Sequence, residues 1–218
     1  MPCGKQKITS DRKNRMKHQP AKEYNIRMNS NSAENSRPGF LARLAGHLKT
    51  VHHHRALVRK HCFACGLYKQ GLLHDLSKYS PGELIPSIRY YQGWRSPYPY
   101  EKELKGYSLG WLHHKGRNKH HWEYWYDTYP DRGWVPVKMP DNYLAESICD
   151  RIAACKTYRK EAYKDSDALD YFLAKPDKEF MHPETAASME HILRMVAEEG
   201  EAAAFAYIRN CLKNNTPL

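Results

Sequence analysis

The stretch Leu72-Leu73-His74-Asp75-Leu76-Ser77-Lys78 constrains this chain more than any other, because an apolar helical run abruptly places an imidazole beside a carboxylate. Adjacent His and Asp fill a core poorly, since each buried polar group needs a partner. Both are good ligands for a divalent transition metal, and a helix can hold them while other segments supply the remaining donors. Donors are plentiful: nine of the 13 histidines fall between residues 52 and 121, as His52-His53-His54, His61, His74, His113-His114 and His120-His121. A later acid, Asp150, is set among apolar and small residues in Ile148-Cys149-Asp150-Arg151-Ile152-Ala153-Ala154.

The periodicity around this stretch is helical. Leu44, Leu48, Val51, Val58 and Cys62 keep three- and four-residue steps, which predicts a helix from Phe40 to a stop at Gly66. A second helix is expected over 67–78, and Ser80-Pro81-Gly82-Glu83 reads as a capping box opening a third through Tyr91. Residues 92–105, rich in aromatics and proline, read as a loop; 107–115 read as a helix ending at Gly116, 119–126 as a further helical turn or two, and 129–140 as a second long loop. Helices are expected again over 142–158, 184–199 and 201–212, the last two separated by Gly200. Nothing reads as a strand pair or an internal repeat. The expected fold is all-α, a single-domain helical bundle over 39–218 with the site between helices.

Residues 1–38 carry nine Lys or Arg against three acids, a net +6 that leaves +5 of the formal +11 for the rest of the chain. With hardly any apolar periodicity, this basic tail cannot offset its ordering entropy and is expected to be disordered. A solvated tail is the plain reading, and nonspecific attraction to nucleic acid the sharper one. No apolar run approaches membrane-spanning length, and the opening Met1-Pro2-Cys3-Gly4-Lys5 lacks the apolar centre of a signal peptide, so a cytoplasmic location follows by default. The six cysteines lack a disulfide-framework spacing, and Cys62-x-x-Cys65 reads as helix packing.

Helix geometry narrows the choice of donors. If Gly66 turns the chain between antiparallel helices, His74 lies ~12 Å past the turn, His53 and His54 ~18 to 20 Å before it, and His47 ~28 Å before it. That favours the 52–54 run. Within it, a 100° step per residue places His54 beside Val51 and Val58 and points His53 nearly opposite. On a continuous helix the seven-residue spacing of the later pairs separates like members by ~10.5 Å, too far to share one ion, so Gly116 is expected to break the helix. One member of each pair should turn inward with Trp111, Leu112 and Trp122. His114 and His121 are preferred, with His113 and His120 as alternates. Glu146, one turn before Asp150, is placed to hydrogen-bond a ligand histidine.

Leu72 to Lys78 and the Asp150 segment together resemble the HD-domain metal-dependent phosphohydrolases, whose ligands come in the order His, His-Asp, Asp. The two extra His pairs resemble the dinuclear members of that superfamily. The resemblance implies an HD-type bundle with His54, His74, Asp75, His114, His121 and Asp150 as ligands, and His53, His113 and His120 as alternates. It also implies a divalent transition metal, as two ions, with Mn, Fe, Zn, Co and Ni not distinguished. The reaction implied is hydrolysis of a nucleotide or another small phosphate ester by metal-activated water. Lys78, on the face of His74, could then meet a phosphate, which makes Asp75 and Lys78 the expected catalytic residues; Lys115, Arg117, Lys119 and Arg95 are candidates for substrate contact. Dinuclear iron oxygenases of the HD arrangement share the same ligands and remain the alternative, and a metal-stabilised binding module without catalysis is the second. From about residue 40 onward the chain is also similar to an uncharacterised bacterial family of unknown function, which names no reaction.

Overall fold

Proline and glycine divide the chain more finely than its apolar periodicity does. In the computed structural model, residues 38–218 are described; the tail expected over 1–38 lies, but for Pro38, outside the described residues. The first helix, α1 (Phe40–Ala64), contains no proline and a single glycine, and stops where Gly66 takes a φ of +83°. α2 (Tyr68–Leu73) follows but ends at His74, where a helix through residue 78 was expected. A 3-10 turn (Leu76–Tyr79) then leads to α3 (Pro81–Tyr90). Ser80 does not cap α3 with its side chain, contrary to the capping-box reading: its hydroxyl donates to the Ser77 carbonyl at 2.6 Å.

The expected loop over 92–105 contains a helix, α4 (Pro97–Lys105). Its prolines occupy the first turn, where no intrahelical amide bond is required, and Gly106 closes it at a φ of +79°. α5 (Leu109–Arg117) is capped by Ser108, whose hydroxyl accepts from the Trp111 amide at 3.0 Å. It runs through Gly116 and breaks only at Asn118. Where a helical turn was expected to residue 126 and a loop over 129–140, residues 126–136 form a short antiparallel hairpin of β1 (Tyr126–Tyr129) and β2 (Gly133–Pro136), with Tyr129 opposite Gly133. Four-residue strands beside Pro130 and Pro136 are too short to show an alternating pattern.

α6 (Asp141–Arg159) is followed by α7 (Asp167–Ala174) and α8 (Asp177–Phe180), both unanticipated, then by α9 (Pro183–Glu199) and α10 (Glu201–Asn214). α6 is the axis of the bundle: it packs on α1, α7, α9 and α10. One side of it (Ala145, Ile148, Cys149, Ile152) joins Val58, Phe172, Met189, Ile192, Leu193 and Ile208 in the core. Each fully buried large side chain there contributes on the order of 1.5–3 kcal/mol. Glu146 and Asp150, also in α6, stand clear of that apolar cluster. α6 is thus buried on most of its sides, with the apolar core against one and the polar donors against another. The described residues include no helix long and apolar enough to cross a membrane.

Candidate metal centre

α1 supplies His54, buried with Val51 and Val58 a turn to either side. His74 leaves α2 with a ψ of 128°, and Asp75 takes the left-handed conformation at φ 54° and ψ 28°. That conformation costs an ordinary residue ~1–2 kcal/mol, and Asp is among the few side chains that tolerate it. A continuing helix would splay neighbouring side chains by 100°. The break lets them converge, with His74 Nε2 3.4 Å from Asp75 Oδ2.

Asp75 stands between two sets of donors. Its Oδ2 faces His74 and, at 4.0 Å, His54 Nε2. Asp150 completes this set from α6, its Oδ1 2.9 Å from His54 Nε2 and 3.6 Å from His74 Nε2. The other oxygen of Asp75, Oδ1, is 3.5 Å from both His114 Nε2 and His120 Nε2. His121 completes this second set, and the donor atoms of each set lie within 4.8 Å of one another. That span is a few tenths of an ångström beyond the ~4.2 Å that separates opposite ligands at ~2.1 Å from a divalent transition metal.

Two further carboxylates orient the imidazoles. Glu146 Oε1 accepts from Nδ1 of His74 at 2.9 Å and lies 3.2 Å from Nδ1 of His120, one histidine from each set. Glu83 accepts from His114 Nδ1 through Oε2 and from His113 Nδ1 through Oε1, both at 2.8 Å. An Nδ1–H turned outward leaves Nε2 as the lone-pair nitrogen facing the centre, the tautomer a ligand needs. His74 Nε2, His120 Nε2, His121 Nε2 and Asp75 Oδ1 are buried with no hydrogen-bond partner. Each such acceptor costs ~1–3 kcal/mol when left unsatisfied, and a cation in each set would satisfy all four. The residues therefore fit a metal ion.

The electrostatics separate the two sets. Burial pushes the carboxyls of Asp75 and Asp150 up, but His74, Lys78, His114 and His120 around the first, and His54, His74 and His120 around the second, hold both well below the usual range. Burial lowers the His74 pKa, yet Asp75, Asp150 and Glu146 outweigh it and raise it well above the ordinary value. Burial lowers His114, assisted by Lys78, and lowers His121 further beside His120 and His114. The first set offers two carboxylates and two imidazoles, the second one carboxylate and three imidazoles.

Of the candidates read from the sequence, His54, His74, Asp75, His114, His121 and Asp150 are brought together. His120, held as an alternate, joins them, so both members of the 120–121 pair face the centre. The sharp turn after Arg117 makes this possible: Asn118 N and Nδ2 both donate to the His114 carbonyl, closing α5 before residue 120. His53 is exposed. His113 sits one step back, on Glu83, and accepts from Arg117 Nε at 2.7 Å. Lys78 Nζ lies 3.3 Å from Asp75 Oδ2 and 3.4 Å from the Tyr98 hydroxyl. Arg95 is committed to Glu103 through bonds of 2.6 and 2.7 Å, and the Lys119 ammonium lies over the rings of Tyr124 and Tyr143. Lys115 is partly buried. Among the described residues, none of Arg95, Lys115, Arg117 and Lys119 contacts either donor set. Glu83, read from the sequence as the acid of a capping box, gives no local sign of its role at the site, because its partners are 30 and 31 residues away.

Comparison with curated proteins found no match, and neither did comparison with solved structures. A family model does match, over residues 43–195, a span from α1 into α9 that contains every member of both donor sets. The chain therefore belongs to a family of unknown function, DUF5662.

Proposed function

We propose that this chain is a metal-dependent phosphohydrolase of the HD type, acting with two divalent ions on a nucleotide or another small phosphate ester. The observation that carries the reading is the placement of Lys78. Its ammonium adjoins Asp75 Oδ2, the oxygen that faces His54 and His74. Two of the donors around that oxygen are partly exposed, Asp150 at 18% and His54 at 11%, while His74 beside them is fully buried. A substrate entering at this edge meets a fixed positive charge. Burial pulls the Lys78 pKa down, but Asp75 and its neighbours raise it above the ordinary lysine value, so the group stays cationic at neutral pH. It can balance charge on a phosphoryl group and cannot serve as a base.

The sharing of Asp75 between two donor sets supports two ions in place of one. Bound ions would supply Lewis acidity toward a phosphoryl oxygen and acidify a water molecule. The chain's own contribution is to hold imidazoles of both sets in one tautomer through Glu146 and Glu83.

The test uses metal-loaded protein and a panel of nucleotides and sugar phosphates. Phosphate should be released at the same rate with and without oxygen. Lys78→Ala should lower turnover ~10²- to 10³-fold while metal content stays unchanged, since an ammonium contributes charge and no coordination. Iron-dependent oxygen consumption with an added organic substrate, together with no phosphatase activity, would replace this reading with that of an HD-type iron oxygenase.

A further inference from the structure

The exit from α2 leaves main-chain acceptors exposed in the middle of the site. The helix has only six residues, and by ending at His74 it deprives the carbonyls of Leu72 and His74 of the amides a continuing helix would supply. One side chain replaces them. Arg55 donates from Nε to the His74 carbonyl at 2.8 Å, from Nη2 to the Leu72 carbonyl at 3.1 Å, and from Nη1 to the Tyr79 hydroxyl at 3.1 Å. Leu72 and His74 precede the left-handed Asp75, and Tyr79 ends the 3-10 turn that follows it. A single planar group therefore anchors the chain on both sides of the residue whose carboxylate lies between the two donor sets. Arg55 also directly follows His54 in α1, so one helical turn carries a donor and the clamp on the shared donor's backbone.

We propose that Arg55 is the positioning residue of the metal centre, holding Asp75 where its two oxygens face the two donor sets. This rests on the metal reading above. Arg55 touches none of the candidate donor atoms and acts through the main chain. The fork of the guanidinium is what the role requires, because a lysine ammonium could reach one carbonyl but could not span both carbonyls and the hydroxyl.

The experiment uses the full chain with Co(II) alone as probe, because its visible absorption reports donor number and geometry. Arg55→Met and Arg55→Lys should bind cobalt ~10- to 100-fold more weakly and show an altered spectrum at saturation, while retaining the far-UV circular dichroism of the wild type. Arg59→Met, which removes an exposed charge one turn later on α1, should leave both readouts unchanged. If Arg55→Met fails to fold, Arg55→Lys carries the test, since it keeps the charge and most of the stem. A folded Arg55 variant with wild-type cobalt affinity and spectrum, whatever its melting temperature, would reduce Arg55 to a structural residue and overturn the proposal. An equal effect of Arg59→Met would overturn it too. Wild-type protein that takes up no cobalt would remove the metal reading itself, and this proposal with it.

Discussion

Replacing Glu146 with glutamine tests whether one carboxylate holds both donor sets. Its Oε1 lies 2.9 Å from His74 Nδ1 and 3.2 Å from His120 Nδ1, and the residue is 6% exposed, so bulk water cannot take its place. Burial raises its pKa, but the bonds to His120 and His74 bring it below the ordinary value, which keeps the carboxyl ionised. A hydrogen bond to a charged group contributes ~1.5–3 kcal/mol, and a neutral amide oxygen accepts about half as strongly. The amide nitrogen would also face the imidazoles with no acceptor. The loss falls on the orientation and basicity of two candidate ligands, a change that typically weakens metal binding ~10- to 100-fold, or ~1.4–2.7 kcal/mol. Because the acceptor is shared, Glu146→Gln should weaken both ions. Glu83→Gln should weaken one, since Glu83 serves His114 alone among the candidate donors. A zinc titration against a chromophoric chelator resolves the two binding events. Unchanged affinity in Glu146→Gln, or two equally weakened events in Glu83→Gln, would refute the reasoning.

A Cβ on Gly46 would stand 2.7 Å from Tyr91 Cε1 and 2.8 Å from its hydroxyl, so Gly46→Ala should cost ~1–3 kcal/mol in urea denaturation despite the better helix propensity of alanine. In a Tyr91→Ala background the same change should be neutral or stabilising; an equal cost in both backgrounds would show that the ring is not the obstacle. His47 is buried, and burial together with the Lys78 charge lowers its pKa from 6.5 to about 4, so between those values the unfolded chain holds more protons than the folded one. Its contribution is complete above pH 6.5 and is lost as pH falls through the window, by up to ~3 kcal/mol; His47→Gln should therefore lose less stability than wild type between pH 7.5 and 4.5, and parallel losses would contradict the assignment.

The long helices were legible in the sequence because their signals are local. Residues 40–64, 141–159, 183–199 and 201–214 carry three- and four-residue apolar steps that read the same in isolation as in the bundle. α4 was hidden because its prolines, which usually mark a loop, sit in the first turn, where a helix accepts them. α7 and α8 were too short to show a repeat, as were the four-residue strands of the hairpin. The break at His74 had no signal at all: Leu72, Leu73 and Leu76 continue an apolar run, and the arginine that stabilises the exit is on another helix.

Sequence alone determined the chemistry on offer: an imidazole next to a carboxylate, two later His pairs, and an acid one turn after Glu146 in a helix of small residues. It also singled out His54 over His53, since a 100° step is a property of one helix. Tertiary structure alone decided that both His120 and His121 face the centre, that His113 stands behind it, that Glu83 holds His114, and which histidines Glu146, already placed by the sequence to bond a ligand, in fact serves. The physical reason is range. A helix's periodicity is set by bonds between residues four apart, whereas a donor's role is set by what lies within about 4 Å of its nitrogen or oxygen. For Glu146 and His74 those neighbours are 72 residues apart, brought together by the packing of α6 on α1 and by the sharp exit from α2.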